Sequence, residues 1–120
     1  MNDRSLTDDQ ITQELQRGRE ALLSDKASRS LLSVLRLLLQ SITPNLYILR
    51  WIPEQGEDLY DVLVDGQKVA HVEISRTGSE HHNAFRTWTV EEYIRTQPEM
   101  TKLERRRLEL ARELAAQNRP

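Results

Sequence analysis

The strongest constraint on the fold is an Asp-Gly pair, Asp65-Gly66, between two runs rich in apolar and β-branched residues. The runs, residues 59–64 and 67–75, have the length and composition of β-strands. Aspartate and glycine tolerate the positive φ angles of a tight two-residue turn, so the pattern predicts a β-hairpin with this pair at its tip. In that register Val64 pairs with Gln67, which places Asp61 opposite Ala70.

Two further segments extend the predicted sheet. Residues 46–52 are rich in aromatic and branched side chains and are followed by Pro53, which is typical of a strand. Residues 84–89, with the sequence AFRTWT, alternate enough to form a short fourth strand. Consecutive strands with short connections favour an antiparallel meander.

Apolar residues at helical spacing predict four helices, over residues 8–24, 28–41, 90–95 and 102–117. Thr7 with Gln10 and Thr89 with Glu92 form capping boxes that begin the first and third helices. Pro44 prevents the second helix from continuing. The element order is therefore α-α-β-β-β-(β)-α-α, an α+β fold in which helices pack on one side of a sheet of three or four antiparallel strands.

Length and composition exclude several classes of protein. A chain of 120 residues predicts a single domain over residues 1–120. With 17 basic and 19 acidic residues the net charge is −2, which attracts neither nucleic acid nor anionic lipid. The chain has no cysteine and its N-terminus is polar, so we expect a cytoplasmic protein. The most apolar run, residues 31–42, is shorter than the roughly 20 residues of a membrane span, so we expect no membrane contact.

Residues 28–76 resemble the core of the PD-(D/E)XK nuclease superfamily. In that family a helix precedes a β-meander with an aspartate on its second strand and a Glu-x-Lys motif on its third. Asp61 corresponds to the aspartate and Glu73 to the glutamate, whereas Ser75 stands at the position of the lysine.

The resemblance implies magnesium-dependent cleavage of nucleic acid. Asp61 and Glu73 would then be the metal ligands, with Asp58 as the substitute for Asp61, and His71 or His82 would serve as a further ligand or as a base. The serine at the lysine position cannot help to activate water, which also leaves an inactive relative of the fold as an alternative.

The predicted hairpin register argues against that catalytic site. Side chains alternate between the two faces of a strand, so a two-residue turn directs Asp61 and Glu73 to opposite faces. A turn bulged by one residue would instead bring Asp61 onto the face of His71 and Glu73. On the predicted register we expect no catalytic residue, no metal ligand and no cofactor.

The histidines allow a second metal hypothesis. Imidazole and carboxylate groups suit zinc or iron, and His71, Glu73, His81 and His82 could converge on such an ion. No fixed ligand spacing is present, so a polar hairpin face next to a solvated loop is the favoured interpretation.

A cluster of aromatic, basic and histidine side chains predicts a binding site in and after the loop that follows the hairpin. Arginine and aromatic side chains are those that most often anchor protein interfaces. In the alternative interpretation, Phe85 and Trp88 close the end of the hydrophobic core. The candidate binding residues are His81, His82, Phe85, Arg86 and Trp88.

Taken together, these patterns favour a non-catalytic protein-binding or regulatory module, such as an adaptor, an inhibitor or an immunity-type protein. The expected partner is another protein, and nucleic acid is the partner only under the nuclease alternative. The leucine stripe of the last helix, which includes Leu103, Leu110 and Leu114, could pack within the domain or against a second copy in a homodimer.

Overall fold

The computed structural model describes residues 7–24, 35, 45–75 and 84–117. The elements in chain order are α1 (Asp8–Ser24), β1 (Leu46–Glu54), β2 (Glu57–Val64), β3 (Lys68–Ser75), β4 (Ala84–Thr89), α2 (Val90–Thr96) and α3 (Lys102–Gln117). The predicted α+β class is confirmed. The predicted second helix lies outside the described residues, apart from Leu35, which is helical and fully buried.

The sheet is antiparallel, and its strand order β1-β2-β3-β4 follows the chain. The predicted fourth strand is confirmed over Ala84–Thr89. Strand β1 continues through Pro53 to Glu54, because an edge strand tolerates a residue that lacks a backbone N–H. Its pairing with β2 shifts between Ile48 and Arg50, which marks a β-bulge.

Helices α1, α2 and α3 each begin at a capping box. The two predicted boxes are present at the start of α1 and α2, with hydrogen bonds of 2.9 to 3.1 Å. Hydrogen bonds from the backbone and side chain of Thr89 lower the pKa of the Glu92 carboxyl. A third box, between Thr101 and Glu104, begins α3 at Lys102. Side chains thus satisfy backbone N–H groups that the first helical turn leaves unpaired.

The hairpin forms, but its predicted register is wrong. Asp65 and Gly66 have φ angles of 54° and 73°, and the Gln67 N–H donates to the Val64 carbonyl at 3.1 Å. The two-residue turn is therefore present, but Gln67 then stays outside the ladder and Val64 pairs with Lys68. The Gln67 carbonyl instead accepts a hydrogen bond of 3.3 Å from the first residue of α2. This one-residue slip exchanges the faces to which the side chains of β3 point relative to β2.

Contacts with α3 hold the turn in place. A Cβ atom on Gly66 would lie 3.1 Å from Cβ of Ala115, so the backbone approaches the helix closely at this position. The Asp65 N–H donates to the Asn45 carbonyl at 2.9 Å, and the Asn45 side-chain amide donates to the Ala115 carbonyl at 2.9 Å. Hydrogen bonds and close packing therefore join the turn to the start of β1 and to the end of α3.

Both faces of the sheet carry buried apolar side chains. On the helix face, Tyr47, Leu63 and Val69 form a core with α1, α2 and α3. On the opposite face, a second cluster consists of Leu22, Leu35, Leu46, Val62, Val64, Ala70 and Val72. Helices were expected on one side of the sheet only, and this expectation is wrong, since Leu22 and the helical Leu35 pack on the opposite face. The run of consecutive apolar residues at the end of β2 is typical of a strand that is buried on both faces.

Helix α3 packs mainly within the domain. Its buried residues are Leu108, Leu110, Ala111, Leu114 and Ala115. Leu103, which was expected in the apolar stripe, is 40% exposed near the start of the helix. The homodimer stays a prediction. In the part of the chain that the structure describes, no helix combines the length and apolar character needed to cross a bilayer.

Candidate functional site

Four polar side chains form a row across the helix face, one from each strand. Arg50 of β1 pairs with Asp61 of β2, Asp61 pairs with His71 of β3, and His71 pairs with Arg86 of β4. Directly paired residues of an antiparallel sheet point to the same face. We call these four residues the polar row. It exists because Gln67 is left out of the ladder, since the unbulged register would have paired Asp61 with Ala70.

Asp61 is the buried centre of the polar row, with only 5% of its surface exposed. Its Oδ1 lies 2.7 Å from Nδ1 of His71, and its Oδ2 accepts a hydrogen bond of 2.7 Å from the Tyr93 hydroxyl. Nη1 of Arg50 lies 3.8 Å from the same Oδ2. Burying a carboxylate costs free energy unless its oxygens find partners, and these contacts provide a partner for each oxygen of Asp61.

His71 lies between two carboxylates. Its Nε2 is 3.0 Å from Oε2 of Glu73, in addition to the contact of Nδ1 with Asp61. Both nitrogens can donate only in the imidazolium form. The hydrogen bond with Asp61 raises the pKa of His71 above its ordinary value, burial opposes this increase, and Glu73 reinforces it. His71 thus joins the two acids that the nuclease hypothesis requires to be available to a metal.

Tyr93 of α2 connects the polar row to a group of aromatic rings that contact one another at tilted angles. Burial, followed by the negative charge of Asp61, raises the pKa of Tyr93, so its hydroxyl remains a donor. The Trp88 ring lies 5.8 Å from the Tyr93 ring and 6.2 Å from the His71 ring, measured between centroids. The Arg86 guanidinium carbon lies 5.4 Å from the centre of the Trp88 ring, in a cation–π contact.

Arg50, at the other end of the polar row, contacts the end of α2 and the start of α3. Its Nη1 donates to Oε1 of Gln97 at 3.1 Å, and its Nε lies 3.3 Å from Oε2 of Glu104. Gln97 ends α2 and Glu104 lies in the first turn of α3. The charge of Arg50 is therefore shared between two acids, Asp61 and Glu104.

A pocket of about 390 Å³ lies over the end of the helix face that is furthest from the turn. Half-buried Ile52 and Leu59 contribute apolar surface, and Glu73 contributes an acid. The polar row and Trp88 also line it. We call the part of the face formed by Ile52, Leu59 and Glu73 the open half, and the part formed by Tyr47, Leu63 and Val69 the covered half.

The site does not fit a magnesium ion. Asp61 and Glu73 do share a face, as the alternative requires, but His71 lies between them and both Asp61 oxygens are engaged. Asp58 lies on the opposite face, where it accepts a hydrogen bond of 3.1 Å from Nε1 of Trp51. Within residues 7–24, 35, 45–75 and 84–117, no group of three or more histidine, aspartate or glutamate side chains is placed to hold a metal ion.

The described members of the predicted binding set, Phe85, Arg86 and Trp88, all line the pocket, but they do not point to one face of the sheet. Arg86 and Trp88 lie on the helix face, whereas Phe85 pairs with Val72 and joins the cluster on the opposite face. Half-buried Phe85 and Trp88 each pack against a core, as the alternative interpretation expects. His81 and His82 lie outside the described residues, and so does any metal site that includes them.

Sequence reasoning missed Arg50, Tyr93 and Gln97. Arg50 did carry a signal, because it is the one charged residue in the apolar run of residues 46–52. A charge within a strand that is otherwise buried requires a partner. Tyr93 could have been noted as an aromatic residue on the short helix that follows Trp88, but its contact with Asp61 depends on the bulge.

A scan against protein-family models and searches of curated proteins and of solved structures found no match to this chain.

Proposed function

We propose that this chain is a non-catalytic protein-binding module that contacts its partner through the open half of the helix face and Arg86. The main support for this proposal is the burial and hydrogen bonding of Asp61. This residue is 5% exposed, and both of its carboxylate oxygens form hydrogen bonds within the domain. A carboxylate that binds a metal or activates water must direct lone pairs towards that ligand, whereas each oxygen of the buried Asp61 already directs a lone pair to His71 or Tyr93.

The surface next to Asp61 has the composition of a recognition site. The pocket combines half-buried apolar side chains, Ile52 and Leu59, with the exposed Arg86 and the aromatic Trp88. Interfaces favour arginine and aromatic anchors in such concave surroundings. Because the hydrogen-bonded polar row holds this surface in shape, little side-chain entropy is lost when a partner binds. An adaptor, an inhibitor or an immunity-type protein would use the surface in this way.

Affinity capture from the native host with the tagged full chain tests this proposal. We expect one stoichiometric partner that is retained by the wild type, lost from Arg86→Gln, and retained by the control Arg112→Gln. Arg112 is an exposed arginine of α3 away from the pocket, so the control removes the same charge elsewhere. Equal recovery of the partner by the wild type and Arg86→Gln, or recovery of none by either, would contradict the proposal.

Metal-dependent nucleic-acid cleavage is the second candidate function. The observation in its favour is that the bulge places Asp61 and Glu73 on one face. A divalent ion would first have to displace His71 and Tyr93 from Asp61. We expect no cleavage of DNA or RNA and an unchanged melting temperature with Mg²⁺ or Mn²⁺. Cleavage that Glu73→Ala abolishes would replace the binding proposal with the catalytic one.

A further inference from the structure

Among the described residues, the charged side chains that line the pocket are paired, with one exception. Asp61 and Glu73 both contact His71, and Arg50 contacts Glu104 and Asp61. Arg86 also lines the pocket, but no carboxylate within the described ranges forms an ion pair with it. Its contact is with the face of the Trp88 ring, which leaves the N–H edge of the guanidinium available.

The position of Arg86 is fixed by the residues beneath it. Trp88 contacts the rings of Tyr93 and His71, and Tyr93 donates to the buried Asp61. An arginine held over a ring that is itself held in place loses less rotamer freedom on binding than a mobile one. Arg86 is therefore a preorganised cation whose planar donor edge matches a carboxylate.

The rest of the pocket restricts the ligand that this cation can accept. Glu73 lies on the same face, is 32% exposed and contacts His71, so among the described residues that line the pocket a ligand meets one unpaired guanidinium, which matches the single charge of a carboxylate. The chain has a net charge of −2 and gives no long-range attraction to a polyanion. Ile52 and Leu59 add apolar surface that an aliphatic side chain next to the carboxylate can cover.

We propose that Arg86 binds a carboxylate in an acidic segment of the partner protein, and that an aliphatic side chain adjacent to that carboxylate packs on Ile52 and Leu59. This inference rests on the proposed function and specifies the chemistry of the partner. It assigns to the partner a glutamate or aspartate with an aliphatic neighbour, and not a phosphorylated segment or a nucleic acid.

A titration of the full chain, followed in ¹⁵N–¹H NMR spectra in metal-free buffer, tests this assignment. The probes are the capped peptide acetyl-Leu-Glu-Leu-amide, its glutamine counterpart and its phosphoserine counterpart. We expect saturable shifts in β3, β4 and the pocket with the glutamate peptide, and about tenfold weaker binding of the glutamine peptide, as the loss of one charge-assisted contact predicts. The phosphoserine peptide should bind more weakly than the glutamate peptide.

The variants make the test specific to one guanidinium. Arg86→Gln should lower the affinity for the glutamate peptide about tenfold, Arg86→Lys should give an intermediate affinity, and Arg112→Gln should leave it unchanged. The spectrum of each variant without peptide reports whether its fold is intact. If Arg86→Gln does not fold, Arg86→Lys carries the comparison.

Four outcomes would overturn the assignment. They are equal binding of the glutamate and glutamine peptides, tighter binding of the phosphoserine peptide, shifts confined to α3, and no saturable shift with any peptide. Failure of the proposed function has a different signature, namely metal-dependent cleavage or the absence of a captured partner. A partner that is captured through Arg86 while the glutamate peptide fails to bind would overturn the carboxylate assignment alone.

Discussion

The covered and open halves of the helix face belong to the same three strands but differ in how deeply their side chains are buried. In the covered half, Leu63 and Val69 are fully buried beneath the helices, whereas Leu59 in the open half is only half-buried beside the pocket. The polar row lies at the boundary, where Asp61 is buried and Arg86 is exposed. The sheet is therefore packed against the helices at one end, while its other end leaves half-buried and exposed side chains beside the pocket.

The largest expected difference between the halves is in packing energy. Leu63→Ala should lower the free energy of unfolding by about 2–5 kcal/mol, because it removes a fully buried side chain and leaves a cavity. Leu59→Ala removes the same atoms from a half-buried position, so we expect a loss of about 1 kcal/mol. Urea unfolding of both variants measures the contrast. Equal losses would show that the open half is as tightly packed as the covered half.

The next largest effect concerns the acids at the boundary. Asp61→Ala should cost about 3 kcal/mol, because it leaves the Tyr93 hydroxyl and one nitrogen of His71 without their partner in a buried environment. Glu73→Ala should cost about 1 kcal/mol or less, since the Glu73 side chain is 32% exposed and solvent can replace it. The same unfolding experiment compares the two variants. A cost for Glu73→Ala as large as that for Asp61→Ala would contradict the boundary assigned here.

Much of the fold followed from local sequence signals. The capping box at Thr7 and Gln10 marked the start of α1, and the alternation within AFRTWT identified β4, because both signals depend on neighbours in the chain. The Asp65-Gly66 turn was also predictable, since its positive φ angles favour these two residue types.

The register, and with it the site, was not predictable in the same way. Gln67 lies outside the ladder because of contacts between residues far apart in the sequence. The turn at Gly66 packs on Ala115, and the Gln67 carbonyl accepts a hydrogen bond from the N–H of Val90 at the start of α2. One residue of slip decides whether Asp61 faces His71 or lies away from it. The candidate acids were identified from their residue types, but their pairing through His71 required the tertiary structure.

The dependence of stability on pH tests the role of His71 at the boundary. The folded-state pKa of His71 lies above the ordinary value of 6.5, so its protonation stabilises the fold below that pH, and this stabilisation is lost as the pH rises through the folded-state pKa. Each pKa unit of that difference corresponds to about 1.4 kcal/mol. The charged or titratable groups around His71 are Asp61, Glu73, Arg50, Arg86 and Tyr93.

Unfolding free energies measured between pH 5.5 and 9 should therefore decrease with pH for the wild type. His71→Gln should show a smaller dependence in the same window, and because His81 and His82 remain in that variant, the difference between the two curves isolates His71. Parallel curves would show that His71 gains no proton affinity on folding, and the arrangement in which both ring nitrogens donate would then be wrong.

The smallest effect on stability is expected at Arg86. Its side chain is exposed and contacts the Trp88 ring without an acidic partner in the described ranges, so Arg86→Gln should change the free energy of unfolding by about 0.5 kcal/mol or less. Urea unfolding of this variant beside Arg112→Gln measures it. An arginine that contributes so little to the fold can form a charge-assisted hydrogen bond to a ligand without a loss of stability. A loss of about 2 kcal/mol or more would assign Arg86 to the structure of the boundary and would leave the open half without its proposed anchor.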